Sequence, residues 1–420
     1  MAAFSLIGCG ATNGTSNAQG GNQGSGGSTN GGSSASGGSV SSNGGSTSSN
    51  GGTQTANGGA SSGGTNASGG STASGGSTAN GGSTSNGGSS SGGGTAQGGS
   101  AQGGSGQGGS SNASTPVGQH GPLKVTGPSL VDSKGQPVQL KGPSSMWLNW
   151  ESQKFAEDKQ GLMWMRDNWK ASVVRAAMGV DTTDTDDYLS APDVAKAAVN
   201  QIVQNAIDLG MYVIIDWHDS AADMHQAQAV AFFTEMATKW GSYPNVIYET
   251  FNEPVMQAWG TVIKPYHEAV VAAIRAVDPD NVIVLGTRNW SQFVDEPAAN
   301  PVSGTNLMYT LHFYSCTHTA AIRDRAEAAY QKGLPMFVTE WGATHADGGT
   351  PRNPALCLEE AQTWHNWMNS HKISWTAWKW DRCVDKTCYF GSTATVTTTG
   401  DWTDDMLNGH TPFVRDRMRE

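Results

Sequence analysis

From residue 124 onward the chain alternates between short apolar runs and longer stretches whose apolar residues recur three and four positions apart. The short runs are Gln139–Gly142, Ser172–Ala176, Tyr212–Asp216, Val246–Tyr248, Val282–Leu285, Leu307–Leu311, Met336–Val338 and Ile373–Ala377, each of strand length. Between them lie helix-like segments such as Ala195–Leu209 and Pro265–Val277. Ahead of the first run, residues 124–141 alternate about Ser133-Lys134-Gly135 and predict a small β-hairpin. Eight strand–helix units in residues 119–420 come to about 38 residues each, which predicts an α/β fold of the (β/α)8 TIM-barrel type with long loops. An open doubly wound sheet is the alternative. It ordinarily carries a glycine-rich phosphate turn after its first strand, and none is present here.

Composition divides the chain sharply. The first charged residue is Lys124, Phe4 is the only aromatic residue before position 119, and 39 of the 57 glycines lie in residues 1–118. Such a stretch has too little apolar surface to offset its ordering entropy, so residues 10–118 are expected to be a disordered Gly/Ser-rich linker. A tract of roughly 100 such residues reaches about 50–60 Å on average. Residues 119–420 carry all 15 tryptophans and the whole net charge of −11. That balance, without a basic stripe, argues against a nucleic-acid partner. No apolar run of spanning length occurs, so no transmembrane helix is expected.

The first nine residues end in Leu6-Ile7-Gly8-Cys9, which resembles the lipobox of bacterial lipoproteins. The resemblance implies an exported chain acylated at Cys9 and held at a membrane surface. In an exported protein the remaining cysteines, Cys316, Cys357, Cys383 and Cys388, suggest two disulfides, with three pairings open. Cys383–Cys388 with Cys316–Cys357 is the expected pairing, because the first pair closes one short loop. No Cys-x-x-Cys spacing points to zinc.

In a barrel of this kind function gathers at the C-terminal ends of the strands. Those ends read Arg175, Asp216-Trp217-His218, Asn252-Glu253-Pro254, His312-Phe313-Tyr314, Thr339-Glu340-Trp341-Gly342, Trp375 and Trp378. Glu253 and Glu340 stand 87 residues apart, close to three units, and so face each other across one mouth. Two carboxylates across a cleft suit glycoside hydrolysis, one giving a proton to the leaving oxygen and the other attacking the anomeric carbon.

The ordered motifs Val213–His218, Val246–Pro254, Leu311–Tyr314, Phe337–Gly342 and Ile373–Trp378 are similar to those of glycoside hydrolase family 5, in its bacterial endo-β-1,4-glucanase subfamily. The resemblance spans nearly all of residues 120–420. It implies Glu253 as general acid/base and Glu340 as nucleophile of a retaining reaction, with carboxylates about 5–5.5 Å apart. It further implies that Asn252 binds the sugar 2-hydroxyl and that Arg175 and Tyr314 orient Glu340. His218 and His312 would bind hydroxyls or tune Glu253, and Trp378 would form a sugar platform. Trp150 and Trp290 are candidates for outer subsites. Two places depart from the subfamily. Lys379-Trp380-Asp381-Arg382-Cys383 stands where Ser-Asp-Lys is usual, and Trp147-Leu148-Asn149-Trp150 replaces a histidine-containing version.

Simpler roles compete with these. Asn252 also reads as a helix cap, the histidines as wall residues, and most tryptophans as core. The run Asp181, Asp184, Asp186, Asp187 reads as a solvated loop, since it lacks the glycine and terminal glutamate of a calcium hand. The expectation is therefore a monomeric, exported enzyme with no cofactor and no metal, acting on a β-1,4-glucan polysaccharide. The alternatives are the same chemistry on mannan, xyloglucan or mixed-linkage glucan, or a non-catalytic glycan-binding surface protein.

Overall fold

The computed structural model describes residues 113–420; Cys9, the 1–9 segment and residues 10–112 of the expected linker lie outside the described residues. The ordered chain starts ahead of the boundary expected at 118. Thr115 caps α1 (Pro116–His120) by accepting from the Gly118 N–H, Pro116 begins the helix, and Val117 is buried. One apolar side chain, a cap and the Val117 N–H donating to the Gly210 carbonyl (2.9 Å) dock this last piece of a tract whose composition otherwise favours disorder.

The hairpin follows as β1 (Lys124–Thr126) and β2 (Ser129–Val131), paired antiparallel. Its tight turn is at Gly127-Pro128, where Gly127 takes φ 56°, and not at residues 133–135. That second turn, held by Asp132 accepting from the Lys134 and Gln136 N–H groups, adds only a bridge from Val131 to Pro137. Proline has no N–H with which to extend the ladder.

All eight apolar runs become strands of one closed parallel barrel: β3 (Lys141–Ser145), β4 (Val173–Gly179), β5 (Tyr212–His218), β6 (Val246–Glu249), β7 (Ile283–Leu285), β8 (Leu307–Tyr314), β9 (Met336–Gly342) and β10 (Trp375–Trp380), with β10 pairing β3 to close the ring. Helices that include α2 (Lys159–Trp164), α3 (Pro192–Leu209), α4 (Gln226–Trp240) and α5 (Lys264–Arg275) surround it. Because side chains alternate along a strand, each strand packs one row outward and one row into the lumen. Val174, Ala176 and Met178 of β4 join the large outer core with the helices, while Val173, Arg175 and Ala177 face in.

The lumen is graded from bottom to top. Its lower end is filled by Val173, Tyr212, Ile214, Ile247, Val284, Met308 and Phe337, and the hairpin residues Leu123 and Leu130 close that end. Higher up, the inward positions turn polar. The pairing of β8 with β9 shifts between Thr310/His312 and Phe337/Glu340, so β9 carries one extra residue there. This bulge lets the consecutive residues Thr339 and Glu340 both reach lumen partners, where a regular strand would turn one of them outward.

The expected cysteine pairs, Cys316–Cys357 and Cys383–Cys388, are both joined. Each sits in the loops beyond the strand ends. Chain-entropy reasoning gives about 4 kcal/mol for the pair separated by 41 residues and about 2 kcal/mol for the pair separated by 5. Urea unfolding should therefore show the Cys316→Ala/Cys357→Ala variant less stable than Cys383→Ala/Cys388→Ala; the reverse order would refute a loop-closure origin.

Candidate active site

One buried guanidinium organises the top of the lumen. Arg175, from the middle of β4, donates to Glu249 through Nε (2.8 Å) and Nη2 (3.2 Å) and to Asn252 Oδ1 (2.6 Å). Its Nη1 donates to Glu340 Oε2 (3.2 Å), and its Nη2 lies 3.0 Å from Asp216 Oδ2. Burial opposes its charge, but Asp216, Glu249 and Glu340 together hold its pKa above the ordinary arginine value.

Three carboxylates around one cation leave excess negative charge in a buried place. Burial accordingly pushes Asp216 up to about 8 against the pull of Arg175, with Glu340 and Glu253 adding to the rise. Burial also raises Glu249, again against Arg175. Glu340 accepts from the Tyr314 hydroxyl at Oε1 (2.7 Å) as well as from Arg175 at Oε2, so both its oxygens meet donors.

Glu253 has a different setting. It follows β6 by four residues, keeps 14% of its side chain exposed, and bonds His312 Nδ1 at 2.8 Å. Burial of its carboxyl pushes it up to about 7, with Arg175 opposing and Glu249 reinforcing the shift. His312 is brought down to about 4, chiefly by burial, and is neutral near pH 7. Donor counting then fixes the direction of its bonds. The single Thr339 hydroxyl hydrogen goes to Glu249 Oε1 (2.6 Å), so Thr339 accepts from His312 Nε2 (2.9 Å). A neutral ring with its hydrogen on Nε2 has a bare Nδ1, and the 2.8 Å contact is a hydrogen bond only when Glu253 carries the proton.

A parallel chain orders the other wall. His218 donates from Nδ1 to Asp216 Oδ2 (2.7 Å) and receives the Asn252 amide at Nε2 (3.3 Å); burial and Arg175 lower its pKa well below the ordinary value. The Trp378 ring stacks against His218, with centroids 5.4 Å apart, and packs with Tyr314 and Ala177. The segment after β6 is braced by a left-handed turn at Asn289–Ser291, whose three residues all take φ near 55–60°. The Asn289 and Trp290 N–H groups donate to Val255 and Pro254 carbonyls, and Ser291 Oγ donates to the Asn252 carbonyl. Such backbone costs on the order of 1–3 kcal/mol per residue, so these bonds hold it in place.

The structure thus brings Arg175, His218, Asn252, Glu253, His312, Tyr314, Glu340 and Trp378 together. Trp150 is exposed at the rim, and the half-buried Trp290 ring makes no aromatic contact among the described residues. Asp216 and Thr339 stand among the strand-end residues but take no role from sequence, and Glu249 is not singled out there. Glu249 did leave a signal, lying on the same strand face as lumen-facing Ile247; Thr339 left none, since alternation assigns it the face opposite Glu340. Lys379 pairs with Asp385 (3.1 Å) in the disulfide loop and lies near the Trp378 face. The acidic run is only partly solvated, because Asp187 is buried and accepts from the Thr182 and Ser190 N–H groups.

A carboxylate oxygen of Glu253, one of Glu340 and a nitrogen of His312 lie within 4.8 Å of one another. An ion placed among them would share Glu340 with a guanidinium already bound to it. A proton on Glu253 satisfies the same geometry without that repulsion.

The cellulase model, glycosyl hydrolase family 5, matches residues 131–383. The chain is 44% identical over 299 residues to an endoglucanase of Clostridium saccharobutylicum, covering 70% of this chain and 64% of that protein. It is 40% identical over 282 residues to endoglucanase Z of Dickeya dadantii, covering 66% and 64%. The chain therefore spans 64% of the length of each of these two relatives. Among solved structures, the catalytic domain of Thermobifida fusca endoglucanase Cel5A superposes with a TM-score of 0.68 at 32% identity, covering 73% of this chain and all of that one. The same Thermobifida domain, in a variant form, has been solved with cellotetraose.

Replacing Arg175 by Met would leave its carboxylates uncompensated, at an expected loss of about 3–5 kcal/mol. Without the cation the folded-state pKa values of Asp216 and Glu249 rise further. An acid raised on folding contributes stability below its unfolded pKa and loses it as pH rises through the folded value. The loss should be larger at pH 8 than at pH 5 in urea melts, and the opposite trend would refute this charge balance.

Proposed function

Because the chain belongs to glycosyl hydrolase family 5, the cellulases, we propose that it hydrolyses internal β-1,4-glucosidic bonds of cellulose-like polysaccharides with retention of configuration. The observation that carries this reading is the approach of Glu253 and Glu340 to within 4.8 Å, each in a setting suited to a different half of the reaction. That spacing favours attack by a carboxylate; an inverting enzyme needs about 6.5–9.5 Å to admit a water.

In the first step Glu253 gives its proton to the glycosidic oxygen as that bond breaks, and a Glu340 oxygen bonds the anomeric carbon. Arg175 and Tyr314 hold Glu340 in line, and the Glu253 proton that rests on the bare His312 Nδ1 turns to the glycosidic oxygen when substrate binds. In the second step the Glu253 carboxylate takes a proton from water, which displaces Glu340 from the sugar. Asn252 has its amide oxygen committed to Arg175, so its Nδ2, held only by a 3.3 Å contact, is available to a 2-hydroxyl. Trp378 offers an indole face to a pyranose. His218 orders both residues, and Trp150 and Trp290 serve units farther out.

We also propose that residues 119–420 act as a monomeric catalytic domain outside the cytoplasm, tethered through Cys9 by the long linker. Two disulfides fit an oxidising compartment, and among the described residues no helix is long and apolar enough to cross a membrane.

On a panel of carboxymethylcellulose, β-glucan, mannan and xyloglucan, the wild type should release reducing ends fastest from the β-1,4-glucans. Hydrolysis of mannan alone would overturn the substrate. Glu253→Gln should lower kcat about 10²–10⁴-fold on carboxymethylcellulose, and Glu340→Gln at least as much; activity surviving Glu340→Gln removes it as nucleophile.

The pH dependence follows from the proton on Glu253. With its carboxyl at about 7, kcat/KM should fall above that pH. Thr339→Val removes the acceptor that keeps the His312 hydrogen on Nε2. The ring is then free to donate from Nδ1 to an ionised Glu253, which favours the carboxylate and moves the alkaline limb to lower pH. A limb that stays put or moves up would exclude this relay.

A further inference from the structure

We infer that Trp147 is a specificity-determining positioning residue, which pins Trp150 at the rim so that the paired indoles carry a glucosyl unit beyond the one resting on Trp378. The inference deepens the function proposed above and rests on it.

Strand β3 ends at Ser145 in the barrel mouth, and the chain then makes a close turn. The Leu148 N–H donates to the Ala177 carbonyl (3.0 Å) with its side chain buried, and the Trp150 N–H donates to the Trp147 carbonyl (2.7 Å). The turn sorts its side chains. Leu148, Asn149 and Glu151 line a cavity of about 250 Å³ shared with Gly179, Val194 and Ala198, at the start of α3. Trp147 and Trp150 are not among that lining; they stack on each other with centroids 4.9 Å apart and planes 12° off parallel.

Trp147 also meets His218 edge-on at 4.6 Å, and His218 stacks on Trp378. An unbroken aromatic line therefore runs Trp378, His218, Trp147, Trp150, in centroid steps of 5.4, 4.6 and 4.9 Å. Its inner members are buried, Trp378 at 7% and His218 at 3% exposure, and its outer end at Trp150 is 42% exposed. A lone exposed indole samples several rotamers and loses that freedom when it binds a ligand. Stacking on Trp147, itself anchored on His218, orders the ring beforehand and leaves its outer face for an apolar surface of that size. The flat face of a pyranose, continuous with the chain held at Trp378, is the occupant that this line fits. A purely packing role for Trp147 would affect substrates of every length alike.

The test is steady-state kinetics on β-1,4-linked glucose oligomers of three to six units, using the wild type, Trp147→Ala, Trp147→Phe, Trp150→Ala and the double alanine variant. Losing one ordered sugar contact should raise KM for the longest oligomer about tenfold relative to the shortest one cleaved, with kcat following far less. Trp147→Phe should restore most of the length preference. In the double variant the Trp147→Ala penalty should largely disappear, since the residue acts through Trp150. A penalty equal at all lengths, no penalty at all, or effects that multiply in the double variant would each overturn the inference while leaving the proposed function standing. Failure of the wild type to cleave any of these oligomers would overturn the function itself, and this inference with it.

Discussion

A single buried arginine has to satisfy more negative charge than it carries. Arg175 touches Asp216, Glu249 and Glu340 at once and also holds the Asn252 amide. Its planar fork can do this because its donors point in fixed, separate directions, which an ammonium could not match. Distances to four different strands and loops are thereby set from one point. Burial answers the excess negative charge by raising the carboxyls of Asp216 and Glu249 above their ordinary range.

The two halves of the chemistry then differ by their distance from that cation. Glu340 is bound to Arg175 directly and also receives the Tyr314 hydroxyl. Glu253 makes no hydrogen bond to Arg175; its nearest described partner is a neutral histidine. On the function proposed above, two glutamates from neighbouring surroundings take opposite tasks, and Thr339 and Glu249, which orient that histidine, make the division. Below them the lumen is apolar and closed by the hairpin, so the polar groups have no route to solvent except the mouth.

Much of this was legible in the chain itself. Eight apolar runs sufficed for the barrel, since a strand buried on both faces reads as a continuous apolar stretch. Strand ends came out short by three residues at Gly179 and Tyr314 and by four at Gly342; at the last two, polar lumen residues interrupt the apolar signal where the site begins. Glu253, Glu340 and Arg175 stood out by position and by family motif. Glu249 did not, because an acid inside a strand reads as solvated until a buried partner is known. Thr339 was hidden by strand alternation, and the pairing of Trp147 with Trp150 depends on a turn that the two intervening residues do not reveal. The short helix at Pro116–His120 was lost in a tract whose average composition outweighed one valine.

The extra residue in β9 reaches further than the pair of side chains it presents. Phe337, Val338 and Trp341 around the two polar residues can drift within the limits of volume, but the number of residues there cannot. Shortening that stretch by one would restore regular pleating and swing either the threonine or the glutamate out among the helices. A deletion that removes no functional group would then silence the molecule as surely as loss of the carboxylate. Homologous chains aligned across this strand should tolerate letters changing and not gaps.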